Sequence, residues 1–224
     1  NVARLNFSHG TYAEHAKVIN LVRKLSGKFD QPITILQDLQ GPRIRLGILP
    51  TQGINLKVKN KVILTTAAKA KYSIAPIKLP VTYDRLHLDV KVGQKILISD
   101  GLIELKTQKV KGREIECVVI DGGTLYSHKG MNFPETKLGI PTITAKDKKD
   151  LDFGIKSGVD MIALSFVRSA DDVLDLKKLI KKLELKYQGK KALPTQVVVK
   201  VEKREAVKNF IKILEVTDAI MVAR

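Results

Sequence analysis

Tryptophan is absent, cysteine occurs once, and aromatic residues make up only 5% of the 224-residue sequence. Each shortage excludes something. A single cysteine, Cys117, leaves no partner for an intrachain disulfide and no cysteine-rich metal site; its place in the apolar run Ile115 to Ile120 makes it core filler. So few aromatics do not supply the stacking rings that a single-strand nucleic-acid binder interleaves with a basic groove. No apolar run approaches the ~20 residues of a membrane span, and no basic segment followed by an apolar one stands at the amino terminus, so a soluble, intracellular protein is expected. Acidic residues are the minority: 23 Asp and Glu against 40 Lys and Arg give a formal charge of +17. That sign favours anionic partners without choosing among phosphorylated metabolites, nucleotides and nucleic acid. The lysines are scattered, with pairs such as Lys148-Lys149 and Lys181-Lys182 on expected helix exteriors, so most are solvated surface. Also missing are the Gly-rich Lys-Ser/Thr phosphate loop, the dinucleotide glycine fingerprint and a His-Glu-x-x-His helix. Any nucleotide must be held another way.

What is present begins with Val197-Val198-Val199-Lys200-Val201-Glu202. A near-continuous β-branched run is what a strand buried on both faces of a parallel sheet requires. Side chains alternate, so Lys200 and Glu202 share a face near the strand's carboxyl end, where parallel α/β folds place their chemistry. An ammonium beside a carboxylate there could grip a phosphoryl group and its divalent metal; equally, the pair could be a surface ion pair where a strand frays into a helix over 203–214.

In chain order, Asn1 to Phe7 reads as a strand with no lead-in, as though the chain were cut, and places Arg4, Asn6 and Ser8 on one face. Ser8-His9-Gly10, either a site or a polar turn capped by Ser8, leads into an amphipathic helix through Lys24 with Gly27 as its stop. Ile33 to Leu36 is a second buried strand that delivers Asp38. From Gly41 to about Leu138 short alternating runs predict an all-β insert, with strands at Lys61 to Thr65, Lys95 to Ile98, Leu102 to Lys106 and Ile115 to Ile120. Thr144 then caps a helix to Lys156. A strand over Asp160 to Phe166, a helix over Asp171 to Lys186, the Lys200 strand, the 203–214 helix and a strand over Asp218 to Ala223 complete the pattern. Alternating strands and helices predict a parallel sheet, either doubly wound or part of a closed barrel. Polar groups at the carboxyl ends of several strands favour the barrel, in the form of a partial TIM (β/α)8 barrel. The expected divisions are 1–44, an inserted domain 45–138, and 139–224.

Six segments together resemble pyruvate kinases: Asn1 to Gly10, Gly41-Pro42-Arg43-Ile44-Arg45, Lys129-Gly130-Met131-Asn132-Phe133-Pro134, Ser165 to Ala170, Lys200-Val201-Glu202 and Ile220 to Arg224. The resemblance covers the whole chain and follows that family's order, from about the second barrel strand to the sixth, with a β lid inserted after the third. It implies transfer of a phosphoryl group from phosphoenolpyruvate to ADP, giving pyruvate and ATP, with Mg2+ or Mn2+, in the cytoplasm or, for a plant source, the plastid. By resemblance, Lys200 stabilises the phosphoryl group in transit, Glu202 holds the divalent metal and Arg4 binds the substrate phosphate. Asn6, Ser8, Asp38 and the carbonyl of Leu39 surround a monovalent cation, while Arg45, Lys129, Asn6 and His9 meet the nucleotide. Gly41-Pro42 and the return from Asn132 to Pro141 would be the lid's hinges.

Some residues depart from the family's pattern. Phe133-Pro134-Glu135 stands where the hinge usually reads Leu-Pro-Gly. Arg43 stands where potassium-requiring members carry glutamate, and with Leu39, Gln40 and Leu46 it implies no requirement for K+. A second magnesium ligand, the remaining barrel strands and a carboxyl-terminal domain are expected in a longer parent, a homotetramer with no membrane or nucleic-acid partner; the segment alone is expected to be inactive. The competing expectation is a basic module that binds anions or nucleic acid without turnover.

Overall fold

The structure is a computed structural model and describes residues 1–187 and 194–222. The chain divides into two compact units, one formed by Asn1–Pro42 with Pro141–Arg224 and the other by Arg43–Ile140.

The first unit opens with β1 (Val2–Asn6), α1 (Tyr12–Lys28) and β2 (Thr34–Asp38). Helix α1 is capped by Thr11, not Ser8: Thr11 and Glu14 exchange hydrogen bonds in a capping box that satisfies two orphan N–H groups. Ser8 instead lies in the preceding turn, where its N–H donates to Asn6 Oδ1 at 3.0 Å. The helix also runs through Gly27 to Lys28. A glycine ends a helix when it takes the left-handed conformation just past it, and here Asp30 takes that conformation, with φ of 49°.

The second unit carries β3 (Ile54–Leu56), β4 (Lys61–Thr65), β5 (Ser73–Ile74), β6 (Ile77–Pro80), a short α2 (Leu86–Asp89), β7 (Lys95–Ile98), β8 (Ile103–Lys111), β9 (Glu114–Asp121), β10 (Gly123–Leu125) and β11 (Met131–Asn132). Seven strands form one sheet in the order β11-β7-β8-β9-β4-β6-β5, and β10 pairs with β3. Alternation sorts the faces: Val62, Leu64, Ile96, Ile98, Leu105, Ile115, Cys117 and Val119 are buried together in this unit's own core. Burial pushes the Cys117 thiol up to about 12. The stretch expected to be entirely β thus contains one short helix of four residues, and β8 continues five residues beyond Lys106 because it stays paired with β9 past a register shift.

The chain returns with α3 (Ala145–Lys156), β12 (Met161–Leu164), α4 (Ala170–Tyr187), β13 (Gln196–Val201), α5 (Arg204–Lys208), α6 (Phe210–Leu214) and β14 (Ala219–Val222). Thr144 caps α3 in a capping box with Asp147. The helix expected over 203–214 is two short ones, because Asn209 leaves helical geometry and turns its side-chain amide to the carbonyl of Arg168 at 2.8 Å. The strand expected to reach Phe166 ends at Leu164, and Glu202 lies one residue past β13. Ala223, expected to end the last strand, lies outside the described residues.

The five strands β1, β2, β12, β13 and β14 form one parallel sheet in chain order. A doubly wound sheet would reverse its order at a switch point. This one does not, which is the succession of a barrel wall. Its helix-facing side, with Leu5, Ile35, Ile162, Leu164, Val197 and Val199, packs on Ile19 of α1, Leu151 and Ile155 of α3 and Val173, Leu176 and Ile180 of α4. On the opposite side Leu36, Ala163 and Val198 form a smaller cluster.

Candidate active site

That opposite side carries the polar groups. Parallel register sets Arg4 beside Leu36 and Asn6 beside Asp38, Asp38 beside Ala163, and Ala163 beside Val198. Partners in register share a face, so Arg4, Asn6, Asp38 and, two residues beyond Val198, Lys200 all project from one side. The lower part of this face is apolar and the carboxyl ends are charged.

At the charged end Asp38 is the hub. Its Oδ2 accepts from Nε and Nη2 of Arg4 at 2.8 and 2.6 Å. Its Oδ1 lies 3.3 Å from the Lys200 ammonium, an ion pair without hydrogen-bond geometry, so this buried oxygen keeps an unfilled lone pair. Lys200 also approaches Glu202 Oε1 at 3.2 Å and donates to Ser165 Oγ at 2.9 Å. Ser165 passes the chain of hydrogen bonds on by donating to the Leu39 carbonyl at 2.8 Å. With side chains 12% (Lys200), 2% (Asp38) and 14% (Glu202) exposed, these charges interact through little water and are held in place before any ligand arrives.

The loop after β12 fixes the second carboxylate. Phe166 has a left-handed φ of 59°, costly for an aromatic residue, and in that conformation its N–H donates to Glu202 Oε2 at 2.9 Å. Gly41, itself at φ of 68°, packs against Phe166 and Ser165 so closely that a Cβ would stand 2.9 Å from the Phe166 ring. The Lys203 ammonium lies 5.5 Å from the Phe166 ring centroid. Burial, reinforced by the nearby Arg168 charge, pushes Lys203 below the usual lysine range.

The structure therefore brings Arg4, Asp38, Leu39, Lys200 and Glu202 together. Asn6, Ser8 and His9 lie on β1 and the turn after it; His9 N–H donates to the Asn6 carbonyl at 3.2 Å, and the His9 carbonyl meets His15 Nε2 at 2.9 Å. Arg45 and Lys129 belong to the second unit, where they are neighbours across a bridge: Arg45 pairs with Gly130, and Leu46 N–H donates to the Lys129 carbonyl at 3.0 Å. Arg43 is exposed in that unit and forms no ion pair among the described residues. Three contributors carried no assigned role in the sequence. Ser165 was legible by alternation from Met161 and Ala163, whereas the Phe166 N–H and Lys146, which donates to the Phe7 carbonyl at 2.7 Å, follow from folding alone.

The family profile described as the barrel domain of pyruvate kinase matches residues 1–224, the whole chain. The chain belongs to the pyruvate kinase family. Its similarity to pyruvate kinases is even across distant sources. It is 41% identical to one from Thermococcus litoralis over all of this chain and 45% of the relative, and 41% identical to one from Geobacillus stearothermophilus over all of this chain and 37% of the relative. It is also 41% identical to pyruvate kinase 2 of Synechocystis, over 99% of this chain and 36% of that protein. The chain thus spans less than half the length of the curated relatives it matches.

Among the described residues no cluster of three or more His, Cys, Asp or Glu side chains stands ready to hold a metal. Mg2+ in phosphoryl-transfer sites takes one or two carboxylates and completes its shell with water and substrate oxygens. Glu202 fits as such a ligand, since it is a carboxylate held rigidly by the Phe166 N–H and only partly neutralised by Lys200. No helix among the described residues is long and apolar enough to cross a membrane.

Proposed function

We propose that this chain is the central part of the catalytic barrel of a pyruvate kinase, which moves the phosphoryl group of phosphoenolpyruvate to ADP. The observation that carries the reading is the Lys200 ammonium, held within 3.3 Å of both Asp38 and Glu202 at the carboxyl ends of the strands. Phosphoryl transfer is chiefly positioning and neutralisation of charge, so a preorganised cation flanked by carboxylates is what it needs. Lys200 stabilises the phosphoryl group in transit. Arg4 binds the substrate phosphate: its Nε and Nη2 are committed to Asp38, and Nη1 has no partner among the described residues. A divalent metal, Mg2+ or Mn2+, held by Glu202 would supply further charge neutralisation.

Arg45, Lys129, Asn6 and His9 contact the nucleotide in this reading, and Arg43–Ile140 is the inserted lid, with Gly41-Pro42 and Asn132 to Pro141 as hinges. The intact enzyme is a cytoplasmic homotetramer, and the segment alone makes no ATP from phosphoenolpyruvate. Asn6, Ser8, Asp38 and the Leu39 carbonyl line a monovalent-cation position whose K+ is not required, because a fixed guanidinium at position 43 replaces a glutamate that would retain it. Turnover of the intact protein in a potassium- and sodium-free tetramethylammonium buffer should lie within about twofold of that with potassium, and stimulation of about tenfold or more would refute this part.

The principal test is Lys200→Ala in the intact protein. Turnover should fall on the order of 10²-fold or more while the amount of folded protein changes little. A kcat within about twofold of the parent sinks the assignment.

A further inference from the structure

Outside the charged cluster the first unit holds a cavity of about 500 Å³ between the segment entering α3 and the start of α4; none of Arg4, Asp38, Lys200 and Glu202 lines it. Three cations converge on it from separate segments: Lys148 of α3, Arg168 of the loop after β12 and Lys178 of α4. Pro141, Ile143 and Leu179 give it an apolar wall. Two carboxylates also reach it, and both are engaged. Asp172 accepts from the N–H groups of Arg168 and Ser169 at 2.8 and 3.1 Å and from the Thr142 hydroxyl at 2.6 Å, while Asp175 pairs with Lys178 at 3.1 Å. Arg168 donates to Thr142 Oγ1 at 3.1 Å, and its guanidinium stands 3.8 Å from Asp172, beyond hydrogen-bond length. The Lys148 ammonium makes no hydrogen bond or ion pair among the described residues.

We infer that this cavity is a second binding site, for a small organic anion with a phosphate or carboxylate head and a compact apolar body. Scattered surface lysines are common on so basic a chain and would carry no such inference. Here the cations meet on a concave surface of a volume usual for small-molecule sites, beside an apolar wall that removes part of the water screening them. An arginine fork with flanking ammonium groups is the arrangement that grips phosphate and carboxylate oxygens. The site is also wired to the charged cluster. Arg168 ends the short loop whose Ser165 and Phe166 hold Lys200 and Glu202, and its carbonyl is tied to Asn209. An anion on Arg168 therefore restrains the loop that positions both groups.

The inference stands independently of the catalytic reading, and one experiment separates them. The full chain, isotopically labelled, is titrated by NMR with phenylphosphonate, phenylacetate and inorganic phosphate in separate arms. Saturable shifts at Thr142, Lys148, Arg168 and Lys178 are expected with at least one phenyl probe, the tighter of the two naming the head group, and inorganic phosphate should bind there more weakly. Lys148→Glu combined with Lys178→Glu should weaken binding about tenfold or more at an unchanged melting temperature. In a Lys200→Ala chain the shifts should persist. Shifts confined to Arg4, Asp38 and Lys200, an absence of saturable shifts, or equal affinity in the charge-reversed chain would each overturn the proposal.

Discussion

Asp38 shows how much one side chain can organise. It is almost wholly buried, yet it carries two cations, Arg4 and Lys200, and so converts three separate strand ends into one charged cluster. A neighbouring cluster behaves differently with pH. The Tyr12 hydroxyl donates to Asp150 Oδ1 at 2.8 Å, and Lys146 occupies the other oxygen at 2.6 Å. Burial, then the hydrogen bond and charge of Asp150, push the Tyr12 phenol from 10.0 up to about 12. Because the folded state holds this proton more tightly than the unfolded state does, the contribution is complete below pH 10.0 and is lost as pH rises towards about 12. Urea midpoints measured at about pH 9 and about pH 11.5 should therefore fall more in the parent chain than in Tyr12→Phe. An equal fall in both would remove Tyr12 as the cause.

At the level of elements, α3 is anchored by its first turn. Thr144 and Asp147 close a capping box, and Asp147 Oδ1 also accepts from the Gly41 N–H at 3.0 Å, binding the helix start to the turn after β2. Thr144→Ala removes a cap and should cost about 1 kcal/mol. Asp147→Ala additionally strands a buried N–H, so its cost should be about 2–3 kcal/mol. Further along, Gly154 lies against the buried carboxamide of Gln37, which a Cβ would overlap. Gly154→Ala gains helix propensity yet should still destabilise by about 1–3 kcal/mol, because Gln37 has no room to give way. Denaturant unfolding of the three variants checks the order, and Thr144→Ala at least as damaging as Asp147→Ala contradicts the shared anchor.

For the whole molecule, the decisive fact is that each compact unit has its own core. Every strand from β3 to β11 pairs within Arg43–Ile140, and the buried hydrophobic residues of that stretch form one cluster. A domain with a self-contained core can fold alone. Residues 43–140 produced by themselves should show a single cooperative thermal transition and slow amide exchange in β8 and β9, the strands most central to the sheet. Broad, non-cooperative melting would mean that this unit borrows stability from elsewhere.

Most of the barrel wall was legible in the sequence, because β-branched runs such as Val197 to Val201 and the polar residues that interrupt them obey a strict alternation that fixes which groups share a face. Alternation puts Arg4 with Asn6, and Lys200 with Glu202, on shared faces; the parallel register then joins Arg4, Asp38 and Lys200 on one side. Alternation does not say which helix boundaries hold. The Ser8 cap, the Gly27 stop and the unbroken 203–214 helix all failed, since a residue's capping tendency is decided by which partner lies within reach: Glu14 for Thr11, the Arg168 carbonyl for Asn209. Nor does it supply the left-handed Phe166 whose N–H fixes Glu202, or the meeting of Lys148, Arg168 and Lys178 around one cavity. Those depend on segments distant in sequence being packed together. Local pattern set which residues face inward, and packing set which of them touch.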